Sequence, residues 1–268
     1  MHRTAGVMLW LVAGTASAQD AARGVPASLE EKGRAIALEA DRREAGFGDS
    51  VTVLTMEVVG ADGRVRTRRL TWQTLEGTQP DAGDKSLTLF HEPRDIEGTA
   101  FLSHTYVDRP DDQWLYLPSL KRVKRISSAN QSSAFVGSEL AYEDLLSDEV
   151  ERFDYRWLRD ELCGASTCFV VERRPRYADS GYVKQVVWID QAEYRAMRIE
   201  YYDLRERPLK TLTFDDYRRY LDRFWRAHRL RMENRQTGKV TILTFEPFAF
   251  ATGLTADAFD PSALTRLR

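Results

Sequence analysis

The chain has 268 residues, 43% hydrophobic and 30% charged, with a formal net charge of −2. That length allows one large or two modest domains, and the composition is that of an ordinary globular protein. Near-neutrality argues against bulk nucleic-acid binding, which calls for a strongly basic face, and leaves room only for a local basic patch.

Met1-His2-Arg3 precedes a short apolar run, Val7 to Val12, and then Ala16-Ser17-Ala18. This is the pattern of a secretory signal peptide over residues 1–18, cleaved between Ala18 and Gln19. The run is too short to cross about 30 Å of hydrocarbon. No cysteine stands near the cleavage point to carry a lipid, and no later window is apolar enough to span a membrane. The expectation is an exported soluble protein, with residues 19–268 forming one domain.

Residues 19–27 read as a flexible leader. Ser28-Leu29-Glu30-Glu31 is a capping box opening a helix that runs to about Ala45 and ends at Gly46 and Gly48. From there the chain reads almost wholly as strands. Ser50 to Val59 alternates apolar and polar residues, Gly60 to Gly63 turns, and Arg64 to Leu75 returns. Strands are expected over 85–91, 99–108, 114–117 and 123–126, then over 149–162, 168–173, 182–189, 196–205, 209–217, 224–234 and 239–248. Thr237-Gly238-Lys239 forms a hairpin turn. Thr255 to Leu267 reads as a terminal helix or arm. About a dozen strands with few helices between them predict an α+β fold built on a strongly curved antiparallel sheet, since parallel pairing would need crossover helices. The concave face would be covered by the first helix, a short helix over 139–146 and the C-terminal segment, leaving an apolar hollow.

Cys163 and Cys168 are the only cysteines. In an exported chain they are expected to form a disulfide across one β-turn. Two thiols without a second ligand pair make a poor metal site. Beyond the expected signal peptide, which holds His2, three histidines, His91, His104 and His228, fall on separate strands without ligand spacing. No G-x-S-x-G, P-loop or H-E-x-x-H occurs. No catalytic residue, metal or cofactor is assigned, and the balance moves from catalysis to binding.

The aromatic residues Phe101, Tyr106, Trp114, Tyr116, Phe135, Trp157, Trp188, Tyr201, Phe214, Phe224 and Phe245 occupy strand positions, as core residues or as wall for an acyl chain. Phe101, Trp114, Leu115, Tyr116 and Phe135 are the candidate lipid contacts. Lys121, Arg122, Lys124 and Arg125 crowd one hairpin, either as a solvated turn or as a contact for lipid phosphates or an acidic partner. Arg64, Arg66 and Arg68 share one face of their strand, which favours solvent.

One block is more specific. Trp114-Leu115-Tyr116-Leu117-Pro118, a basic turn, Lys124-Arg125-Ile126, and then Phe135-Val136-Gly137-Ser138-Glu139-Leu140-Ala141-Tyr142-Glu143-Asp144-Leu145 resemble the outer-membrane lipoprotein-sorting family with a LolA-like fold. Against the pattern F-M-G-S-D-F-x-Y-E-D-L, Phe135, Gly137, Ser138, Tyr142, Glu143, Asp144 and Leu145 match, while Val136, Glu139 and Leu140 differ conservatively. Gly137, Ser138, Tyr142, Glu143 and Asp144 are read as a structural signature rather than an active site. Ser138 would cap the short helix, and that helix with its lead-in Ser127 to Ser133 would be a movable cover.

The resemblance implies a periplasmic, non-enzymatic carrier of a lipid or acylated protein. It also implies transient contact with a membrane surface and with an inner-membrane transporter of the resistance-nodulation-division type. The alternatives are a transporter accessory that carries nothing and a lipid or glycan hydrolase.

Overall fold

The computed structural model describes residues 28–79, 82–147 and 149–267. The expected signal peptide and leader lie outside the described residues. Helix α1 (Leu29–Glu44) opens as its sequence dictates. Ser28 Oγ accepts from the Glu31 amide at 3.0 Å, and the Ser28 amide donates to the Glu31 carboxylate at 2.7 Å.

The remainder is one open antiparallel sheet. Its first six strands are β1 (Asp49–Val59), β2 (Val65–Leu75), β3 (Ala82–Glu92), β4 (Ala100–Tyr106), β5 (Asp112–Leu117) and β6 (Arg122–Ile126). They step outward from β1 to the edge at β6. The next seven are β7 (Phe153–Cys163), β8 (Ser166–Pro175), β9 (Lys184–Asp190), β10 (Ala196–Tyr202), β11 (Pro208–Tyr220), β12 (Phe224–Asn234) and β13 (Val240–Phe245). They start at the opposite edge and step back until β13 pairs with β1. A two-residue strand, β14 (Ala249–Phe250), completes the pairing beside β1.

This order has a direct consequence. Residues 127–152 leave one edge strand and enter the other, so they must cross the sheet. They cross its concave side, where Phe135, Leu140, Tyr142 and Leu145 join a core with Leu54, Met56, Leu70, Phe90 and Phe101 from one half. The same core takes in Tyr182, Ile199, Leu212 and Leu243 from the other half. We refer to residues 127–152 as the strap.

The strap differs from the helix expected over 139–146. Only Tyr142–Leu145 forms a turn of 3-10 helix, after a separate turn at Phe135–Gly137. An α-helix advances 1.5 Å per residue against about 3.3 Å for extended chain, so an edge-to-edge crossing favours the extended form. Val136 and Gly137, both with positive φ (46° and 71°), break the helix locally. Ser138 is not the N-cap of the Tyr142–Leu145 turn, a place that Ala141 takes, but closes the preceding turn, Phe135–Gly137. Its hydroxyl donates to the Phe135 carbonyl at 2.8 Å and accepts from the Leu140 amide at 3.2 Å.

Two further expectations are corrected. The C-terminal segment folds as 3-10 turns, Ala256–Phe259 and Pro261–Arg266, on the convex side rather than the concave one. There Phe259 and Leu264 cover Leu87, Ala100 and Leu102, the outward residues of β3 and β4. Arg68 is not solvated. It shares the inward parity of Leu70 and Trp72 and is buried, with a guanidinium nitrogen 3.7 Å from Met56 Sδ.

Candidate functional site

The strap fills only part of the concavity. Between α1 and the inner faces of β7 to β13, β1 and β2 lies a cavity of about 660 Å³, within the usual range for small-molecule sites. Its floor is apolar and follows the period-two pattern: Val171, Val187, Ile189, Ile199, Phe214, Leu230 and Phe245, with Trp72, Tyr155 and Phe248. Its roof is the small-residue side of α1, Ala37 and Ala40, beside Asp41 and Glu44. The helix lies close on β7 because residue 33 is glycine: a Cβ there would stand 2.6 Å from the Trp157 backbone nitrogen. Lys32 Nζ sits 3.4 Å above the Trp157 ring.

Polar groups gather at the rim. Asp41, Glu76, Asp84 and Glu149 line the cavity, and none forms an ion pair among the described residues. Glu76 accepts from the amides of Gly46 and Gly48 at 2.5 and 2.8 Å. Burial raises the carboxyls of Asp41 and Asp84. Burial, then repulsion from Asp84 and Asp41, raises Glu149 to about 7. Three arginines also line the space, each engaged: Arg226 with Glu44, Arg195 with Asp190, and Arg173 with Gln185.

The expected lipid contacts separate. Phe101 and Phe135 are fully packed, with centroids 5.2 Å apart and Tyr142 at 5.4 and 5.6 Å from them. Leu115 points inward to the same core, while Trp114 and Tyr116 point outward to the C-terminal turns. None of the five lines the cavity. The aromatic block plugs one half of the concavity, and the apolar floor of the open half comes mainly from residues after position 150. Of the aromatic strand residues noted in the sequence, Phe214 and Phe245 belong to that wall.

The signature residues hold the strap down. Asp144 accepts from the Ala141 amide at 2.6 Å, the Tyr182 hydroxyl at 2.8 Å and Lys210 Nζ at 2.5 Å. Glu143 accepts from Ser180 Oγ at 3.0 Å and the Gly181 amide at 2.9 Å. Burial, then the neighbouring Asp144, raises the Glu143 carboxyl to about 7. A Cβ on Gly181 would come within 2.8 Å of Glu143 Oε1 and 2.7 Å of Ser132 Cβ. Glu139 reaches β12 and β13, its amide donating to Thr241 and its carboxylate accepting from Asn234. Sequence reasoning missed Lys210, Tyr182 and Gly181. The one signal for Lys210 was a lysine between Leu209 and Leu212 in an expected strand.

Of the basic hairpin, Arg125 pairs with Asp112, while Lys121, Arg122 and Lys124 are exposed and without ion pairs among the described residues. Cys163 and Cys168 form the disulfide, with Cα atoms 5.8 Å apart across the β7–β8 turn. The histidines are dispersed. His91 meets Thr71, His104 meets the Phe259 carbonyl, and His228 meets Tyr220 and the Phe245 carbonyl. Among the described residues no group of three or more His, Cys, Asp or Glu is placed to hold a metal ion. No described helix is long and apolar enough to cross a membrane.

Residues 82–266 match a family model described as "Uncharacterized protein". The chain is similar, at 48% identity and a TM-score of 0.86, to a crystal structure from Vibrio parahaemolyticus assigned as an outer-membrane lipoprotein-sorting protein domain. That match covers 88% of this chain and all of the other. A DUF1329 family protein from Desulfovibrio piger is 27% identical, with a TM-score of 0.83 over 89% of this chain and all of its own. A LolA superfamily protein from Nitrosomonas europaea, 21% identical, shares the fold with a TM-score of 0.67, over 85% of this chain and 97% of its own. No curated protein matches the sequence.

Proposed function

Because the chain belongs to the outer-membrane lipoprotein-sorting family with a LolA-like fold, we propose that it is a periplasmic carrier of a lipid or acylated protein. It would bind without chemical turnover. The observation that carries this reading is the unfilled apolar cavity between α1 and the sheet. Each methylene withdrawn from water there gains roughly 0.8 kcal/mol, so even a modest acyl chain would be held firmly.

Firm holding poses the problem of release, which calls for a part that moves at low cost. The strap is a poor candidate, since its buried Asp144–Lys210 pair and aromatic plug would have to be broken. Helix α1 is the better cover. Its ties to the sheet and strap include four ion pairs, Arg34–Glu151, Glu30–Arg156, Arg43–Glu193 and Glu44–Arg226, each with at least one exposed partner, and exposed pairs contribute about 0–1 kcal/mol each. Transfer to or from an inner-membrane transporter of the resistance-nodulation-division type would complete the cycle, with Lys121, Arg122, Lys124 and Arg125 as the headgroup or partner contact.

Mass spectrometry of lipids extracted from gently purified native protein tests the proposal. A stoichiometric acyl species supports it. A protein that is empty as isolated and binds no fluorescent fatty-acyl probe at micromolar concentration would leave the transporter-accessory reading in its place.

A further inference from the structure

Among the described residues seven large apolar side chains are exposed: Leu29 and Leu38 on α1, and Val65, Leu120, Leu162, Leu204 and Leu221 at or beside hairpin turns. Exposure alone singles out none of them. Their surroundings do. Val65 follows Asp62 closely, Leu162 follows Asp160 and Glu161, Leu204 follows Asp203, and Leu221 precedes Asp222. Leu120 alone of these five has no carboxylate within four residues on either side, and it is followed by Lys121, Arg122 and Lys124.

We infer that the β5–β6 hairpin tip docks on an anionic phospholipid surface, with Leu120 entering the headgroup layer and the three cations on lipid phosphates. Leu120 is 61% exposed at the end of the short Pro118–Leu120 turn, and Lys121 continues that turn with φ 48°. Lys121, Arg122 and Lys124 lack ion-pair partners among the described residues, whereas Arg125 is neutralised by Asp112 on the other face of the hairpin. An apolar residue framed by unpaired cations is the pattern that an anionic bilayer attracts and a neutral one does not. Guarding of an edge strand by charge explains Arg122 and Lys124 on β6. It does not explain an exposed leucine at the turn, which works against guarding.

The neighbouring β3–β4 turn, whose Gly98 approaches Pro118, carries Asp95 and Glu97 beside Arg94. The attraction is therefore local to one hairpin and the binding weak and salt-sensitive, which suits a protein that must leave the membrane again. The inference rests on the carrier reading in one respect: a carrier has to visit a bilayer.

The test is co-sedimentation of the mature chain with protein-free vesicles. Phosphatidylcholine vesicles with and without phosphatidylglycerol are compared at low and high salt, and native lipid content is measured on the same preparations. The expectation is retention by the anionic vesicles only, lost at high salt. Retention should fall at least fivefold in Lys121→Glu/Arg122→Glu/Lys124→Glu and about threefold in Leu120→Ser. In Leu120→Cys the new thiol is the only free one, because both native cysteines are bonded. An environment-sensitive dye on it should shift to the blue on anionic vesicles alone.

Absence of binding to protein-free anionic vesicles at low salt overturns the inference. So does retention only by vesicles bearing membrane proteins, which would point to an acidic protein partner. Unchanged binding by the triple variant, or an unshifted dye on vesicles that retain the protein, overturns it as well. Lost docking with normal lipid content sinks this inference and spares the carrier reading, whereas an empty protein that still docks does the reverse.

Discussion

Lys210 Nζ stands 2.5 Å from Asp144 Oδ2, with both side chains buried, and this pair ties the strap to the start of β11. A buried ion pair is not automatically a net source of stability, but removing one member leaves the other charged without compensation. Lys210→Met is therefore expected to cost about 3–5 kcal/mol. Lys210→Met with Asp144→Asn should recover part of that, since the amide keeps an acceptor for Tyr182 and carries no charge. Urea midpoints of the two variants check it. A double variant no better than the single one would mean that the hydrogen bonds, not the charge, hold the strap.

Glu143 and Glu149 make stability depend on pH in an unusual direction. Burial raises each carboxyl from 4.5 to about 7. In that interval the folded chain binds more protons than the unfolded one, so stability falls as pH rises. The penalty is absent below the unfolded value near 4.5 and fully present above about 7. Denaturation midpoints across this window should decline with pH, and Glu149→Gln should flatten part of the decline. Glu149 is the cleaner position, because the one hydrogen bond its carboxylate accepts among the described residues, from Thr105 Oγ1 at 3.4 Å, is long. A slope that the substitution leaves unchanged would count against this account.

What the sequence made legible was local. The Ser28–Glu31 capping box needs only four residues, and the inward set Leu54, Met56 and Val58 needs only the two-residue period of β1. Alternation in β5 likewise announced two faces. It could not say which was inner, because Trp114, Leu115 and Tyr116 are all apolar, and the strap and the C-terminal turns decide that question from opposite sides. The strap's own conformation is set by the distance between two edge strands, a property of the whole sheet. Lys210 meets an acid 66 positions away, beyond the reach of any short pattern.

The Cys163–Cys168 bond closes a loop within a single hairpin, so its chain-entropy contribution is small. Reduction, or Cys163→Ala with Cys168→Ala, should cost about 2 kcal/mol and leave the circular-dichroism spectrum of the sheet unchanged. Thiol labelling of the native protein should modify neither residue until reductant is added. Collapse of the sheet on reduction would show that the β7 edge depends on this bond.

Where the cavity lies separates two kinds of substitution. Phe101 sits in the plug and is fully buried, so Phe101→Ala should cost about 3–5 kcal/mol and leave acyl-probe binding by the folded fraction nearly unchanged. Leu230 lines the cavity floor and Ala37 its roof. Leu230→Glu would put a charge where hydrocarbon is proposed to lie, and Ala37→Trp would fill the space without one. Both should lower native lipid content and probe affinity at least tenfold while shifting the urea midpoint little. The pair matters because the two act by different physics. If Leu230→Glu empties the protein and Ala37→Trp does not, the cargo reaches the floor without passing beneath α1. If Phe101→Ala empties it and neither of the others does, the acyl site lies in the aromatic plug and the cavity is not the site.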